Sequence, residues 1–208
     1  MTKSIPYKYL PNFFATLISL VFLTNINAQS LDKKAMKKLP IYTWEQAVKL
    51  PVDEVIRLTL KKSKLTELPQ EIYKFKNLRY LDVSSNQLKE IPAELANLPQ
   101  LQYLDFSDNL LIKVPEEIGK FDSLTVLILN HNDIVTLPTE IGALNTLTEL
   151  HLWGTAIVSF PSSIVLLKET LKEIDLRYVP LTRSEHKKLK KILPLTKIGY
   201  SLKCNCDF

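Results

Sequence analysis

YLDFSDNLLIKVPEEI, residues 103–118, begins as a β-strand and then stops being one. Leu104 and Phe106 alternate with Tyr103, Asp105 and Ser107, the period-2 pattern of a strand with one buried side. After Asp108-Asn109 the alternation breaks. Pro115 cannot donate to a strand ladder, so the second half belongs on a return path. Glu116, Glu117 and Ile118 read as a short helical or 3₁₀ turn starting at Pro115, with Ile118 and Phe121 facing back inside. One such strand cannot bury Leu104 and Phe106 by itself, so others must lie alongside.

The chain supplies them at a fixed interval. Pro69, Pro92, Pro115, Pro138 and Pro161 are 23 residues apart, each preceded by an apolar residue and followed three residues later by Ile72, Leu95, Ile118, Ile141 or Ile164. Leu78, Leu81 and Val83 recur as Leu101, Leu104 and Phe106, then as Leu124, Leu127 and Leu129, then as Leu147, Leu150 and Leu152. Asn86, Asn109 and Asn132 hold one slot, where an amide can satisfy backbone groups that a turn leaves unpaired inside. Self-similarity at this period means stacked units that bury a core only against each other.

The pattern LxxLxLxxNxLxxLPxxIxxLxx resembles the 23-residue type of leucine-rich repeat over residues 55–170, with a partial sixth unit from Leu171. The resemblance implies an α/β solenoid. A right-handed coil would carry a six-stranded parallel concave sheet, short turns or 3₁₀ segments on the convex side and a helical cap at each end. The Asn slot changes to Ser63, Thr155 and Val179 in the outer units, as expected of repeats that meet caps, and the fifth unit has one extra residue near Lys168-Glu169-Thr170. Repeats are assigned to residues 55–181. Residues 41–54 form the front cap, where Thr43-Trp44-Glu45-Gln46 is a capping box opening a helix to about Lys49, with Trp44, Ala47 and Val48 covering the first coil. Residues 182–208 form the rear cap and tail. Thr182-Arg183-Ser184-Glu185 is a second box, His186, Leu189 and Leu193 share a helix face, Pro194 ends it, and Ile198 and Tyr200 suit an edge strand.

Residues 1–28 have the layout of a secretory signal peptide: Lys3 and Lys8, an apolar run over Phe13–Leu23, and Ala28 before a cut ahead of Gln29. The run is too short to span a bilayer, which takes about 20 apolar residues. Residues 29–40 read as a flexible mature N-terminus. The whole chain has a formal net charge of +5, and residues 29–208 hold 25 basic and 22 acidic residues. So mild a balance does not point to nucleic acid. Exported, periplasmic, outer-surface or secreted placement is expected, as resemblance to short bacterial members with similar leaders implies.

The outward strand positions are the candidate site. One slot holds Tyr80, Tyr103, Val126, Glu149 and Glu173, and the next Asp82, Asp105, Ile128, His151 and Asp175. A third holds Ser84, Ser107, Asn130, Trp153 and Arg177, and the last Ser85, Asp108, His131, Gly154 and Tyr178. In leucine-rich repeat proteins this concave face is the usual binding surface. The residues singled out are Tyr80, Asp82, Tyr103, Asp105, Ile128, Glu149, His151, Trp153, Arg177 and Tyr178. Tyr and Trp are the residue types that dominate binding energy, and nothing in the repeat requires them there. The competing reading is that they shield the sheet by stacking on cross-strand neighbours.

Other chemistry finds less support. His131 and His151 lie three slots apart along their strands, about 10 Å, too far for a tight metal site. Asp82, Asp105, Asp108 and Glu149 could serve acid–base work, but a flat open sheet lacks a desolvated cleft. Cys204 and Cys206 are candidates for a disulfide in an exported protein. The basic helix with Arg183, Lys187, Lys188, Lys190 and Lys191 reads as a solvated cap face. With four glycines and no P-loop, Gly-x-Ser-x-Gly or His-Glu-x-x-His, the chain is expected to be non-catalytic and to need no cofactor or metal. It is read as a monomeric module for a protein or peptide, with a glycan as the second ligand class. The alternative is a structural or self-assembling surface element without a specific ligand.

Overall fold

The computed structural model describes residues 33–201, so the leader, Cys204 and Cys206 lie outside the described residues. The chain divides into two units, residues 1–40 and 41–208. In the first, Lys33–Lys38 form α1, a helix where the sequence reading places a flexible segment. Lys, Ala and Met are all strong helix formers, which explains the difference.

The second unit is one parallel sheet with short turns returning between its strands. β1 (Arg57–Thr59), β2 (Tyr80–Asp82), β3 (Tyr103–Asp105), β4 (Val126–Ile128), β5 (Glu149–His151), β6 (Glu173–Asp175) and β7 (Lys197–Gly199) pair in chain order. The expectation of six strands is corrected to seven. Thr196 Oγ1 donates to Leu171 O at 2.7 Å, and Lys197 N–H donates to Lys172 O, so the edge strand expected around Ile198 forms as β7 and joins the ladder, ending before Tyr200. From β1 to β5 the register steps by one repeat, Tyr80 facing Tyr103 and Tyr103 facing Val126. Glu149 faces Glu173, one residue further on, because the fifth return turn, Ser162–Leu167, is longer than the five-residue turns before it.

Leu104 is buried between Leu81 and Leu127, its register partners, and Phe106 lies in the row of Val83, Leu129 and Leu152, all without exposure. Burying each such side chain is worth about 1.5–3 kcal/mol. The convex turns Gln70–Lys74, Ala93–Asn97, Glu116–Lys120 and Thr139–Ala143 are 3₁₀. Each follows its proline, whose carbonyl accepts the closing bond, as from Ile118 N–H to Pro115 O at 3.1 Å. Proline already holds the φ the entry needs, −61° at Pro69, and its missing N–H leaves no donor to satisfy.

The Asn slot is a ladder of its own. Asn109 Oδ1 accepts from Leu88 N–H at 3.0 Å, and its Nδ2 donates to Phe106 O, Ser107 O and, one coil back, Val83 O. Asn132 repeats the arrangement with Leu111 N–H, Leu129 O, Asn130 O and Phe106 O. Asn86 does so with Leu65 N–H and Leu60 O. At Thr155 the ladder stops. Its hydroxyl donates to Leu152 O at 2.8 Å and reaches neither Ile134 N–H nor Leu129 O. Thr155→Asn should restore both contacts and stabilise by about 1 kcal/mol per bond formed, raising the melting temperature by roughly 2–4 °C or more. An unchanged melting temperature would show that the two groups are already satisfied.

The caps close the ends. α2 (Trp44–Ala47) is shorter than expected, and Thr43 N–H donates to Gln46 Oε1 at 2.9 Å. Ala47 is buried and Trp44 meets Phe75 edge-on at 6.3 Å. Val48 does not cover the first coil: it lies beyond the helix and is exposed. Tyr42 bridges to β1 through Thr59 N–H, which covers the front edge. At the rear, α3 (Arg183–Ile192) starts at Thr182, whose hydroxyl accepts from Glu185 N–H. Leu189 and Leu193 are buried, while His186 is only half-buried, edge-on to the Tyr200 ring at 4.6 Å.

Candidate functional site

The outer face of the sheet shows why its slots differ. β1 to β6 each leave the sheet through a left-handed residue: Lys62, Ser85, Asp108, His131, Gly154 and Tyr178, with φ between 53° and 68°. That turn points the next residue, Asn86, Asn109, Asn132 or Thr155, into the core. The fourth slot is therefore set by backbone before it is set by ligand. Gly154 fits it without strain, and a Cβ there would also meet His131 Cδ2 at 2.9 Å. Tyr178 takes the same conformation with a bulky side chain that is 73% exposed.

Over β2 and β3 the aromatic rings are locked. Tyr80 and Tyr103 stack at 4.2 Å and 11°, and the Arg57 guanidinium lies 4.5 Å from the Tyr80 centroid. Burial pushes both phenols above their ordinary value, with nearby aspartates adding to it. Arg57 extends the Tyr80 column by one repeat, and that offset was the available sequence signal. Here the shielding reading describes the rings well.

The Asp row has a local task. Asp82 Oδ1 accepts from Ser84 N–H, Asp105 Oδ1 from Ser107 N–H and hydroxyl, and Asp175 Oδ1 from Arg177 N–H. These bonds satisfy the alternate amides that face outward past the strands. On β5, His151 replaces the aspartate, and Asn130 Oδ1 accepts from Trp153 N–H instead. Asp82, Ser84, Val126 and Asp175 are buried, so not every outward position is open to a partner.

Most acids on this face have a basic neighbour. Asp108 meets His131 at 3.1 Å, Glu149 meets His151 at 3.5 Å, Glu173 meets Lys197 at 3.3 Å and Asp175 holds Arg177 at 2.7 Å. Burial raises the Asp175 carboxyl, but the Arg177 hydrogen bonds and charge outweigh it and hold the group below the ordinary aspartate value. Asp105 moves the other way. Burial is the main cause and Asp82 adds to it, against the hydrogen bonds from Ser107 and the charge of Lys61. The face thus desolvates one carboxyl more than the flat sheet expected from sequence. A raised folded pKa means the folded state holds more protons, so this group's contribution to stability falls as pH rises from the ordinary value through the raised one. Asp105→Asn should remove that slope from urea midpoints measured across the acid range. A parent and variant with the same slope would count against it.

Over β5 and β6 the Tyr178 ring is open and Trp153 is half-buried. Trp153 meets His131 edge-on at 4.4 Å, the Arg177 guanidinium at 5.1 Å and Tyr178 at 6.4 Å. Ile128 lies half-buried between Asp105 and His151, its register partners. The structure thus brings the ten candidates onto one face, but as two clusters with β4 between them. Among the described residues no group of three or more His, Cys, Asp or Glu converges on a metal position, and no helix is long and apolar enough to cross a membrane.

Residues 56–133 match a family model described as a leucine-rich repeat region. Among solved structures, a leucine-rich repeat protein of Leptospira interrogans is 29% identical with a TM-score of 0.64, over 77% of this chain and 46% of its own. This chain therefore spans less than half the length of that protein. The BIR2 ectodomain from Arabidopsis thaliana is 32% identical with a TM-score of 0.46, over 50% of this chain and 57% of its own. No curated protein matches the sequence. The 23-residue period, one parallel strand per repeat, the Asn ladder and the match over residues 56–133 agree on one conclusion: the chain carries a leucine-rich repeat region.

Proposed function

We propose that the chain is a non-catalytic, exported module that binds a protein or peptide through its concave face. The fold suggests a protein-interaction module, since leucine-rich repeat domains usually bind proteins. The observation that carries the concave-face reading is the Trp153–Tyr178 cluster. Two large aromatic side chains lie on the sheet face, one of them 73% exposed and held at φ 58°, where a bulky residue costs roughly 1–2 kcal/mol. Neither the repeat nor the core needs either of them.

The test is affinity capture. Protein from Gln29 onward and its Tyr103→Ala/Trp153→Ala variant are incubated with envelope and host-surface extracts, and retained proteins are identified by mass spectrometry. A partner kept by the parent and lost by the variant supports the reading. Equal retention by both moves the interface elsewhere. Export is checked separately, by finding Gln29 as the N-terminus of protein recovered outside the cytoplasm.

Self-assembly is the second reading. It is favoured by β7, whose outer edge carries no strand among the described residues. It requires a solution size that grows with concentration, and, if the tail takes part, that growth should be lost with Cys204→Ser and Cys206→Ser.

A further inference from the structure

α3 is lightly anchored to the rear of the stack. Leu189 is its one fully buried residue, and Leu193 joins it just past the C-terminal end. Arg183, Lys187, Lys188, Lys190 and Lys191 stand against a single acid, Glu185, which already meets Lys188 at 3.8 Å. The terminal element of a solenoid touches one neighbour instead of two, so a helix held this way is an early part to open. His186 is its third point of attachment. The ring meets that of Tyr200, the residue after β7, edge-on at 4.6 Å. Its Nε2 is buried and has no hydrogen-bond partner. The other two histidines differ: His131 lies 3.1 Å from Asp108 and His151 lies 3.5 Å from Glu149, so a proton gained there completes an ion pair. Among the described residues no carboxylate lies within ion-pair distance of His186. The titratable group that faces it from the sheet end is Tyr200, a phenol that burial holds above its ordinary value and that stays neutral in acid. The charged residues one turn away on its own helix are Arg183 and Lys190, both cations.

We infer that His186 is an acid-sensitive latch on the rear cap: when its ring gains a proton, α3 lifts from the end of the stack while the coils behind it stay folded. Protonation turns both ring nitrogens into donors, and the buried Nε2 has nothing to donate to. It also adds a charge to a helix already crowded with cations. Burial accordingly holds the imidazole below its ordinary value. Such a group binds fewer protons in the folded state than in the unfolded one. The cap is therefore most stable above the ordinary histidine value of about 6.5 and weakens as pH falls below it. Release would uncover Leu189 and Leu193, together with Ile198 and Tyr200, which lie half-buried at the sheet end.

Hydrogen exchange on the intact protein tests this, with protection factors of the α3 and β3 amides compared at about pH 7.5 and about pH 5. In the parent, α3 protection should fall at least about threefold at the lower pH, while β3 protection does not fall with it. Asp175, on the adjoining β6, is held below the ordinary aspartate value and stays ionised at both pH values, so it does not mimic the effect. His186→Phe keeps a ring against Tyr200 but cannot take the proton, and its α3 protection should be the same at both. His131 and His151 remain in the variant, so the comparison isolates one ring. An equal α3 loss in parent and variant, or no loss in the parent, would overturn the latch. So would a matching fall in β3, which would mean unfolding of the whole stack. Where phenylalanine disturbs the cap at neutral pH, titration of the His186 ring in the parent by NMR decides. A midpoint below the ordinary histidine value supports the latch, and one at or above it overturns it.

Discussion

Asn109→Ala is expected to lower stability by about 2–4 kcal/mol, seen as a urea midpoint roughly 1–2 M below the parent's at a typical dependence of about 2 kcal/mol per molar. The side chain makes four hydrogen bonds, and two of its partners, Leu88 N–H and Val83 O, belong to the preceding coil. Alanine strands Leu88 N–H, whose residue is buried, while Val83 O, Phe106 O and Ser107 O keep their bonds from Asn86, Asn132 and Ser85. The cost is therefore that of one stranded donor, about 1–3 kcal/mol, plus about 1 kcal/mol for the net hydrogen bonds lost to the shared carbonyls. Asn109→Asp tests the geometry further. It keeps an acceptor for Leu88 N–H but turns a carboxylate oxygen towards three carbonyls, so it should be at least as damaging. A midpoint within about 0.5 M of the parent for Asn109→Ala would mean that the coils are not joined through this side chain.

Leu104→Asp should abolish folding. Leu104 has no exposed surface and lies between Leu81 and Leu127. Truncating a buried leucine costs about 2–5 kcal/mol, and an unpaired buried carboxylate adds several more or must be neutralised. The sum approaches the whole stability of a domain, about 5–15 kcal/mol. Tyr103→Ser is the control one residue away. It loses the stack on Tyr80 but opens to solvent, so the chain should remain folded with a lower midpoint. Circular dichroism and urea titration separate the two. If Leu104→Asp folded and Tyr103→Ser did not, the inner and outer faces of β3 would be exchanged, which is what a one-residue slip produces.

The fold was legible because the same few slots decide it in each coil. Leu81, Leu104, Leu127 and Leu150 recur at one interval, and only stacking can bury them. The ends were less legible. Ile198 suggested an edge strand, but its pairing as β7 depends on Thr196 and Lys197 meeting carbonyls of the sixth coil, which no periodicity records. Val48 looked like a cap residue because it follows Ala47, but α2 ends first. At the site, alternation correctly placed the outward residues but could not say which were open. Asp82 and Ser84 sit on the outer face yet are buried, because Tyr80, Tyr103 and their neighbours cover that end of the sheet. Tyr178 escapes this in its left-handed turn, while Trp153 stays half-buried like Tyr80 and Tyr103. The left-handed slot itself leaves little trace in composition, being filled by Lys, Ser, Asp, His, Gly and Tyr in turn.

The end of the asparagine ladder at Thr155 also bears on how the chain would respond to being pulled. In a stack where each coil touches only its neighbours, force applied at the two ends should peel coils rather than break the whole at once. Each released coil of 23 residues adds about 80 Å of extended chain. The joint between the fourth and fifth coils lacks the core amide of the ladder and keeps only the outer bond from Trp153 N–H to Asn130 Oδ1, so it should yield at lower load than the joint that Asn132 spans. A single-molecule force trace would then show steps of that length, with the joint at Thr155 opening before the one that Asn132 holds.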